Sequence, residues 1–353
     1  MANCAYKRAA ELGADGALFT DGINRMYLTG FPSTEGAVLC TEDETALLLD
    51  MRYALSAESR GLTGVKVVRS ESSLTADTLS YARAKGVKRL IIESTAVTVY
   101  ELERLRAAFE GIELIPVAGI CGEARQIKTA AEVACIKKAQ SITDACFTHI
   151  LGFIKGGMTE REVAAEMEYF MKKNGADGLA FDTIAVSGVK SALPHGVPGD
   201  DVLTENAFFT MDFGARYGGY CSDMTRTVVL GKASDKMKDV YNTVLEAQRL
   251  GVLAVGDGVP CKAVDAAARD YIRSKGYGGY FTHSTGHSLG LEIHESPACS
   301  PKSEAVLKAG MLMTVEPGIY IEGAYGVRIE DTVLVTEDGC EVLAASTKEL
   351  IEL

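Results

Sequence analysis

The sequence predicts an α+β protein: an N-terminal α/β domain over residues 1–124, then a larger domain of mixed helices and strands over 125–353. Three observations predict it. Over the first ~120 residues, short apolar runs alternate with helix-period segments, the pattern of a layered α/β domain. The stretch GICGEARQIK (119–128) breaks that alternation just before a long helical pattern. After residue 129 the order "two helices, then strands" occurs twice, which predicts two similar halves packed on one sheet with a cleft between them.

Taken in order, Leu18–Thr20, Ala37–Cys40, Ala46–Leu49, Val65–Val68 and Leu90–Ile92 are apolar runs of strand length. Between them, LTADTLSYARAK (74–85) and VYELERLRAAF (99–109) place apolar residues three and four apart, as helices do. Thr129 with Glu132, and Thr159 with Glu162, each fit a capping box, in which the two side chains satisfy free N–H groups at a helix start. The helix over 129–155 carries the stripe Val133, Ile136, Ala139, Thr143, Cys146 and Ile150; the one over 159–174 stops at Asn174-Gly175. VSG (186–188) and FFTMDFG (208–214) follow as strands. Residues 207–231 read as a β-hairpin whose first strand ends near Gly214, whose turn is ARYGG, and whose second strand carries CSDMTRTVV. Helices over 235–251 and 260–275, the latter opening at Pro260, precede HSTGHSLGLEIHE (283–295) and two more strands.

A net charge of −12 and a pI near 5.1 argue against nucleic acid or an anionic membrane surface as partner, since both need a basic face. The start, MANCAYKRAAEL, has no apolar run behind its charges, and no apolar stretch approaches the ~20 residues a bilayer span needs. Neither signal peptide nor membrane segment is expected. Nine cysteines, an odd number without a C-x-x-C pair, read as reduced thiols in a cytoplasm.

Four acids stand in unexpected places. Asp212 and Asp223 interrupt the apolar or small residues of the predicted hairpin, Glu316 follows MLMTV and precedes Pro317-Gly318, and Glu330 sits inside GVRIEDTVLV. A charge in a core strand is costly unless paired or bound to metal. Taken singly, such an acid is more often salt-bridged or solvated than functional, and a lone histidine is usually a hydrogen-bonded scaffold residue. His283 and His287 also lack the glutamate of a zincin helix, and the glycines around them argue against a helix. Together the case changes. Four carboxylates beside clustered histidines would repel or be badly desolvated without a cation, and two divalent ions neutralise them. An oxygen-rich set with one imidazole suits Mn, Fe, Co or Zn, and suits neither copper nor a structural zinc.

PHGVP (194–198), MDFGARYGGYCSDMTRT (211–227), HSTGHSLGLEIHE (283–295), VEPGIY (315–320) and GVRIEDT (326–332) resemble the motifs of the pita-bread metallopeptidases. That family includes methionine aminopeptidase, aminopeptidase P and prolidase, and the order Asp, Asp, His, Glu, Glu is its order of ligands. INRMYLTGF (23–31) and LDMRYALSA (49–57) are similar to the leading domain of the proline-specific members, which favours the Xaa-Pro branch. The resemblance implies a C-terminal pita-bread catalytic domain behind a creatinase-like N-terminal one. It implies that Asp212 chelates one metal, that Asp223 and Glu330 bridge two, and that His287 and Glu316 bind the other. Glu316 would also handle the proton of the attacking water. His195 and His294 would bind the substrate carbonyl and the tetrahedral oxyanion, and His283 would be a further catalytic-pocket residue. Arg328 would reach a carbonyl or carboxylate on the substrate's proline side. Tyr27, Phe31, Arg52 and Tyr53 read as N-terminal core rather than pocket.

The implied chemistry suits these residue types. Metals lower the pKa of bound water from about 15.7 toward 7 and polarise the carbonyl. One oxyanion donor is typically worth roughly 100- to 1,000-fold in rate. The expected function is thus a dinuclear-metal exopeptidase cleaving the Xaa-Pro bond of dipeptides or short peptides, prolidase-like. It would use two divalent ions, with Mn ahead of Co, Fe or Zn, and act as a cytoplasmic homodimer. The alternatives are an aminopeptidase P acting on longer peptides and a non-catalytic pita-bread binding protein. A metal-free, creatinase-like enzyme is disfavoured because all five ligand types are present.

Overall fold

The apolar runs of the N-terminal half form a six-stranded mixed sheet. Across it lie Val65–Arg69, Thr45–Leu49, Ala37–Thr41, Gly16–Phe19, Arg89–Glu93 and Glu113–Val117. Gly16–Phe19 with Ala37–Thr41, and Ala37–Thr41 with Thr45–Leu49, pair antiparallel; the remaining neighbours are parallel. Three of the four interior strands, Thr45–Leu49, Ala37–Thr41 and Gly16–Phe19, are buried almost throughout, so they read as short unbroken apolar runs. Helices Met51–Arg60, Leu74–Ala84 and Val99–Ala108 complete the layer, the last opening on a formed Thr98/Glu101 capping box. The sequence reading missed the helix Ala2–Glu11 and the strand Glu113–Val117. That strand, ELIPV, is an edge strand with exposed positions, so its apolar run is broken, and Pro116 is tolerated there. Tyr27 and Phe31 are core residues as expected, but Arg52 is exposed beside Asp50 and Tyr53 is only half-buried, its hydroxyl 2.6 Å from Thr34 Oγ1, so the core reading fails for both.

The structure is a computed structural model describing residues 2–353, and the chain divides into two units, the first ending at Arg125 and the second spanning Gln126–Leu353. Among the described residues no helix is long and apolar enough to cross a membrane.

In the second unit both predicted capping boxes form, opening the helices Ala130–Phe153 and Glu160–Lys173. The two halves do not share one sheet, as the repeated element order had suggested. The first half supplies a three-stranded ladder of Ile184–Ser187, Ala207–Phe213 and Met224–Leu230. The second supplies a five-stranded ladder of Glu295–Cys299, Gly286–Ser288, Leu312–Val315, Asp331–Thr336 and Gly339–Val342. They meet where Glu330 N donates to Thr225 O (3.1 Å) and Thr332 Oγ1 donates to Asp223 O (3.0 Å). Strand period explains how Asp212 is placed. Phe209, Met211 and Phe213 pack on the two helices of the first half, while Phe208 faces the core built with helices Asp235–Leu253 and Cys261–Ser274. Asp212 therefore shares its face with Phe208 and Thr210.

The hairpin is also more broken than expected. Ala207–Phe213 pairs with Met224–Leu230, Asp212 opposite Thr225, but residues 215–221 form their own small ladder through Ala215–Tyr217 and Tyr220–Cys221. The break is at Gly214, where a Cβ would stand 1.9 Å from Ser222 O, so only glycine permits the crossing. Asp223 consequently lies in the gap between ladders rather than within a strand.

Candidate metal centre

Asp223, His287 and Glu330 offer one ligand atom each, all within 4.8 Å of one another. They arrive from three places: the break before Met224, the strand Gly286–Ser288, and the two-residue gap between the strands Tyr325–Arg328 and Asp331–Thr336. The backbone of His287 can come so close because Gly286 precedes it; a Cβ there would stand 1.8 Å from Thr314 O. His287 Nδ1 lies 3.1 Å from Ser288 O, which turns Nε2 toward Asp223 Oδ2 (3.6 Å) and Glu316 Oε1 (3.4 Å). Burial lowers the pKa of His287 to about 4, so the ring is the neutral form that binds metals. Thr314 Oγ1 donates to Glu316 Oε1 (3.1 Å). Thr225 Oγ1 donates to Glu330 Oε2 (2.7 Å) and leaves Glu330 Oε1 buried without a partner.

Asp212 lines the same cavity, but the structure does not gather it into that trio. Its Oδ2 accepts Arg328 Nη2 at 2.6 Å, and its Oδ1 is the second buried carboxylate oxygen without a partner. Arg328 is only 3% exposed and spreads its donors over Asp212, Thr225 Oγ1 (3.0 Å), Tyr320 OH (2.8 Å) and Pro194 O (3.2 Å). It stands in the cavity wall with its guanidinium engaged by protein groups.

Electrostatics point to a cation. Burial, reinforced by Glu330, Asp212 and Glu316, holds the Asp223 carboxyl well above its ordinary range. Burial with the charges of Glu316 and Asp212 does the same for Glu330, and burial pushes Glu316 up to about 8. Clustered buried carboxylates with orphaned oxygens, plus one neutral imidazole nitrogen aimed among them, are a donor set that divalent metal ions fit.

The cavity over this cluster has a volume of about 780 Å³. His195, His283 and His294 all line it. His195 and His294 are exposed; His294 stacks edge-on against His287 at 4.4 Å between ring centres. His283 is held instead: Nε2 is 2.9 Å from Tyr320 OH and Nδ1 2.8 Å from Ser284 O. Burial, aided by Arg328, lowers its pKa to about 4. Cys221 is a buried thiol pushed up to about 12 by burial, in keeping with packing rather than ligation. Sequence reasoning missed the supports: Thr225, Thr314 and Tyr320 around the acids, and Asp265 with Arg269 behind Thr285. Thr225 and Tyr320 lie inside the motifs already noted, and a hydroxyl in a buried strand beside an acid was the available signal.

Comparisons with known proteins agree with this geometry. Residues 134–337 match the family described as Metallopeptidase family M24, and residues 4–127 match the Creatinase/Prolidase N-terminal domain. The chain is 39% identical over 343 residues to the Xaa-Pro dipeptidase of Pyrococcus furiosus, covering 97% of this chain and 96% of that one. Its structure superposes on an Xaa-Pro dipeptidase from Bacillus anthracis with a TM-score of 0.96 and 44% identity, covering 100% of this chain and 99% of that one. It superposes on an X-Pro aminopeptidase from Thermotoga maritima with a TM-score of 0.93 and 36% identity, covering 98% and 100%.

Proposed function

The chain belongs to metallopeptidase family M24 and carries the creatinase/prolidase N-terminal domain, and from that premise we propose that it hydrolyses the Xaa-Pro bond of dipeptides, as a prolidase. The observation that carries the reading is the buried carboxylate–imidazole cluster at the floor of an open cavity, with two carboxylate oxygens lacking partners. Asp212, Asp223, His287, Glu316 and Glu330 would hold two divalent ions, manganese ahead of cobalt, iron or zinc. Bound there, the ions would supply the Lewis acidity that activates water and polarises the scissile carbonyl.

The chain's own residues do the rest. Thr314 fixes Glu316 Oε1, so Glu316 Oε2 is the atom assigned to take the proton of the attacking water and pass it to the leaving proline nitrogen. His195 and His294, exposed on the cavity wall, donate to the substrate carbonyl oxygen and to the oxyanion it becomes. Arg328 holds Asp212 in place through Nη2 and lines the cavity beside it. His283, neutral and tied to Tyr320, shapes the pocket behind them.

The free state of the described cysteines supports a reducing, cytoplasmic location. Family membership supports a homodimer, which sedimentation would check. Likeness to the X-Pro aminopeptidase favours a second reading, in which longer peptides are cleaved. The test uses metal-stripped protein with and without Mn(II). Proline release from Met-Pro only with metal is the expected result. Silence on Met-Pro with cleavage of Met-Pro-Ala would select the second reading, and silence on both would reject peptidase function.

A further inference from the structure

Glu160 lies inside the Thr159–Glu162 capping box but takes no part in it. It is the first residue of the helix Glu160–Lys173 and is completely buried. Both of its carboxylate oxygens are engaged by one segment. Oε1 accepts Ser187 N (2.9 Å); Oε2 accepts Gly199 N (3.1 Å) and Lys190 Nζ (2.5 Å). Ser187 ends the strand Ile184–Ser187, and Gly199 closes the loop that follows it. Lys190 lies inside that loop and also reaches Asp201 Oδ2 (2.9 Å). The first amides of the same helix hold the loop's exit: Glu160 N donates to Asp201 O (3.1 Å) and Arg161 N to Gly199 O (2.9 Å).

His195 rides on this loop. Leu193 N donates to Lys190 O (2.9 Å) and Gly196 N to Leu193 O (3.1 Å), so His195 sits in a tight turn. The preceding carbonyl, Pro194 O, accepts Arg328 Nη1 (3.2 Å). Behind the turn, a Cβ on Gly196 would stand 3.1 Å from Val186 Cγ1, which seats the loop on its parent strand. The imidazole itself is exposed toward the cavity. Its position is therefore set by the backbone beneath it, and the backbone is closed at both ends by one carboxylate.

We propose that Glu160 is a positioning residue for the peptidase reaction, a clamp that closes the 187–199 loop and fixes where His195 stands over the metal centre. The inference rests on the reading of His195 as a substrate-binding group. Charge-assisted bonds from two amides and an ammonium are stronger than neutral ones, and the carboxylate that accepts them is itself buried. Glu160→Gln has nearly the same shape but sets an NH2 group against N–H donors at one end of the loop. That end is released, and a misplacement of about 1 Å in a catalytic group can cost roughly 100-fold.

The test is a double-mutant cycle on the full-length, metal-loaded protein, with Met-Pro as substrate: wild type, E160Q, H195A and the pair. Expected is a loss in kcat/KM of roughly 10- to 100-fold for E160Q in the wild-type background and almost none in the H195A background. Amide exchange at Ser187 and Gly199 should speed up in E160Q, while the strand Ala207–Phe213 stays protected. Equal losses in both backgrounds, or unchanged exchange at the two amides, would overturn the clamp. If E160Q does not fold, Lys190→Met removes the ammonium, leaves both amide bonds, and enters the same cycle with a smaller expected loss. An H195A enzyme as active as wild type would overturn the inference together with the role given to His195. A wild type inactive on both Met-Pro and Met-Pro-Ala rejects the peptidase reading instead, and the exchange of the two amides still decides whether the clamp exists.

Discussion

Thr225 donates its hydroxyl to Glu330 Oε2 at 2.7 Å and accepts Arg328 Nε at 3.0 Å, while Arg328 holds Asp212. One buried hydroxyl thus orients a carboxylate directly and a second through the arginine. Outer partners of this kind typically change metal affinity by about 10- to 100-fold when removed. Thr225→Val keeps the shape and the β-branch and deletes both bonds, so Mn(II) affinity should fall by that order, measured by titration against a competing chelator. An affinity equal to wild type would mean that Glu330 needs no orienting partner. Tyr320 does comparable work on the opposite side, its hydroxyl shared by His283 Nε2 and Arg328 Nη1. Neither residue is chemically conspicuous, which is why the acids and histidines were legible in the sequence and their supports were not. An acid in an apolar run announces a cost that something must offset. A threonine in a strand announces nothing, because strands favour it anyway.

At the scale of elements, what could be read depended on whether the signal was local. The capping boxes at Thr129/Glu132 and Thr159/Glu162 involve residues three apart, and both formed as expected. The division of the second unit into two ladders was not legible, because it is decided by which strand edges meet and by the crossing that Gly214 permits. The same holds for the helix Cys261–Ser274, which looks like an ordinary amphipathic helix until its partners are known. Asp265 on that helix accepts Thr285 N (3.1 Å) and Thr285 Oγ1 (2.9 Å), and pairs with Arg269 at 2.7 Å. Arg269 donates to Phe281 O (3.0 Å) and His283 O (2.6 Å), and Thr285 O accepts Glu316 N (2.8 Å). One helix turn therefore carries the segment of His283 and the backbone of Glu316. Removing one member of a buried ion pair costs about 3–5 kcal/mol. Asp265→Asn should lower the unfolding free energy of the metal-loaded protein by about that much in a urea titration. A loss no larger than that of a surface substitution would show that the pair does not hold this segment.

For the whole molecule, the site makes stability depend jointly on metal and pH. In the metal-free protein Asp223 and Glu330 are held well above the ordinary carboxylate range and Glu316 is raised to about 8, chiefly by burial. The native state then binds more protons than the unfolded chain, whose carboxyls titrate near about 4, so these groups subtract stability as pH rises toward the folded values. His283 and His287 act oppositely. Their pKa values fall to about 4 in the fold, so the unfolded chain binds more protons between there and its own value of about 6.5, and stability rises with pH across that lower window. Above about 6.5 the unfolded histidines lose most of their remaining charge within about one pH unit, and beyond that the carboxylates alone set the slope from the site. Metal reverses their sign, because ionised ligands are what it binds and each proton lost on loading favours it at higher pH. The gap in Tm between loaded and stripped protein should therefore widen from pH 6.5 to pH 8. Comparing the two forms at each pH cancels titrations elsewhere, such as the Cys4 thiol, lowered to about 7 by its hydrogen bond with Cys121. A gap that stayed constant or narrowed over that window would mean that the buried carboxylates are not the groups that metal discharges.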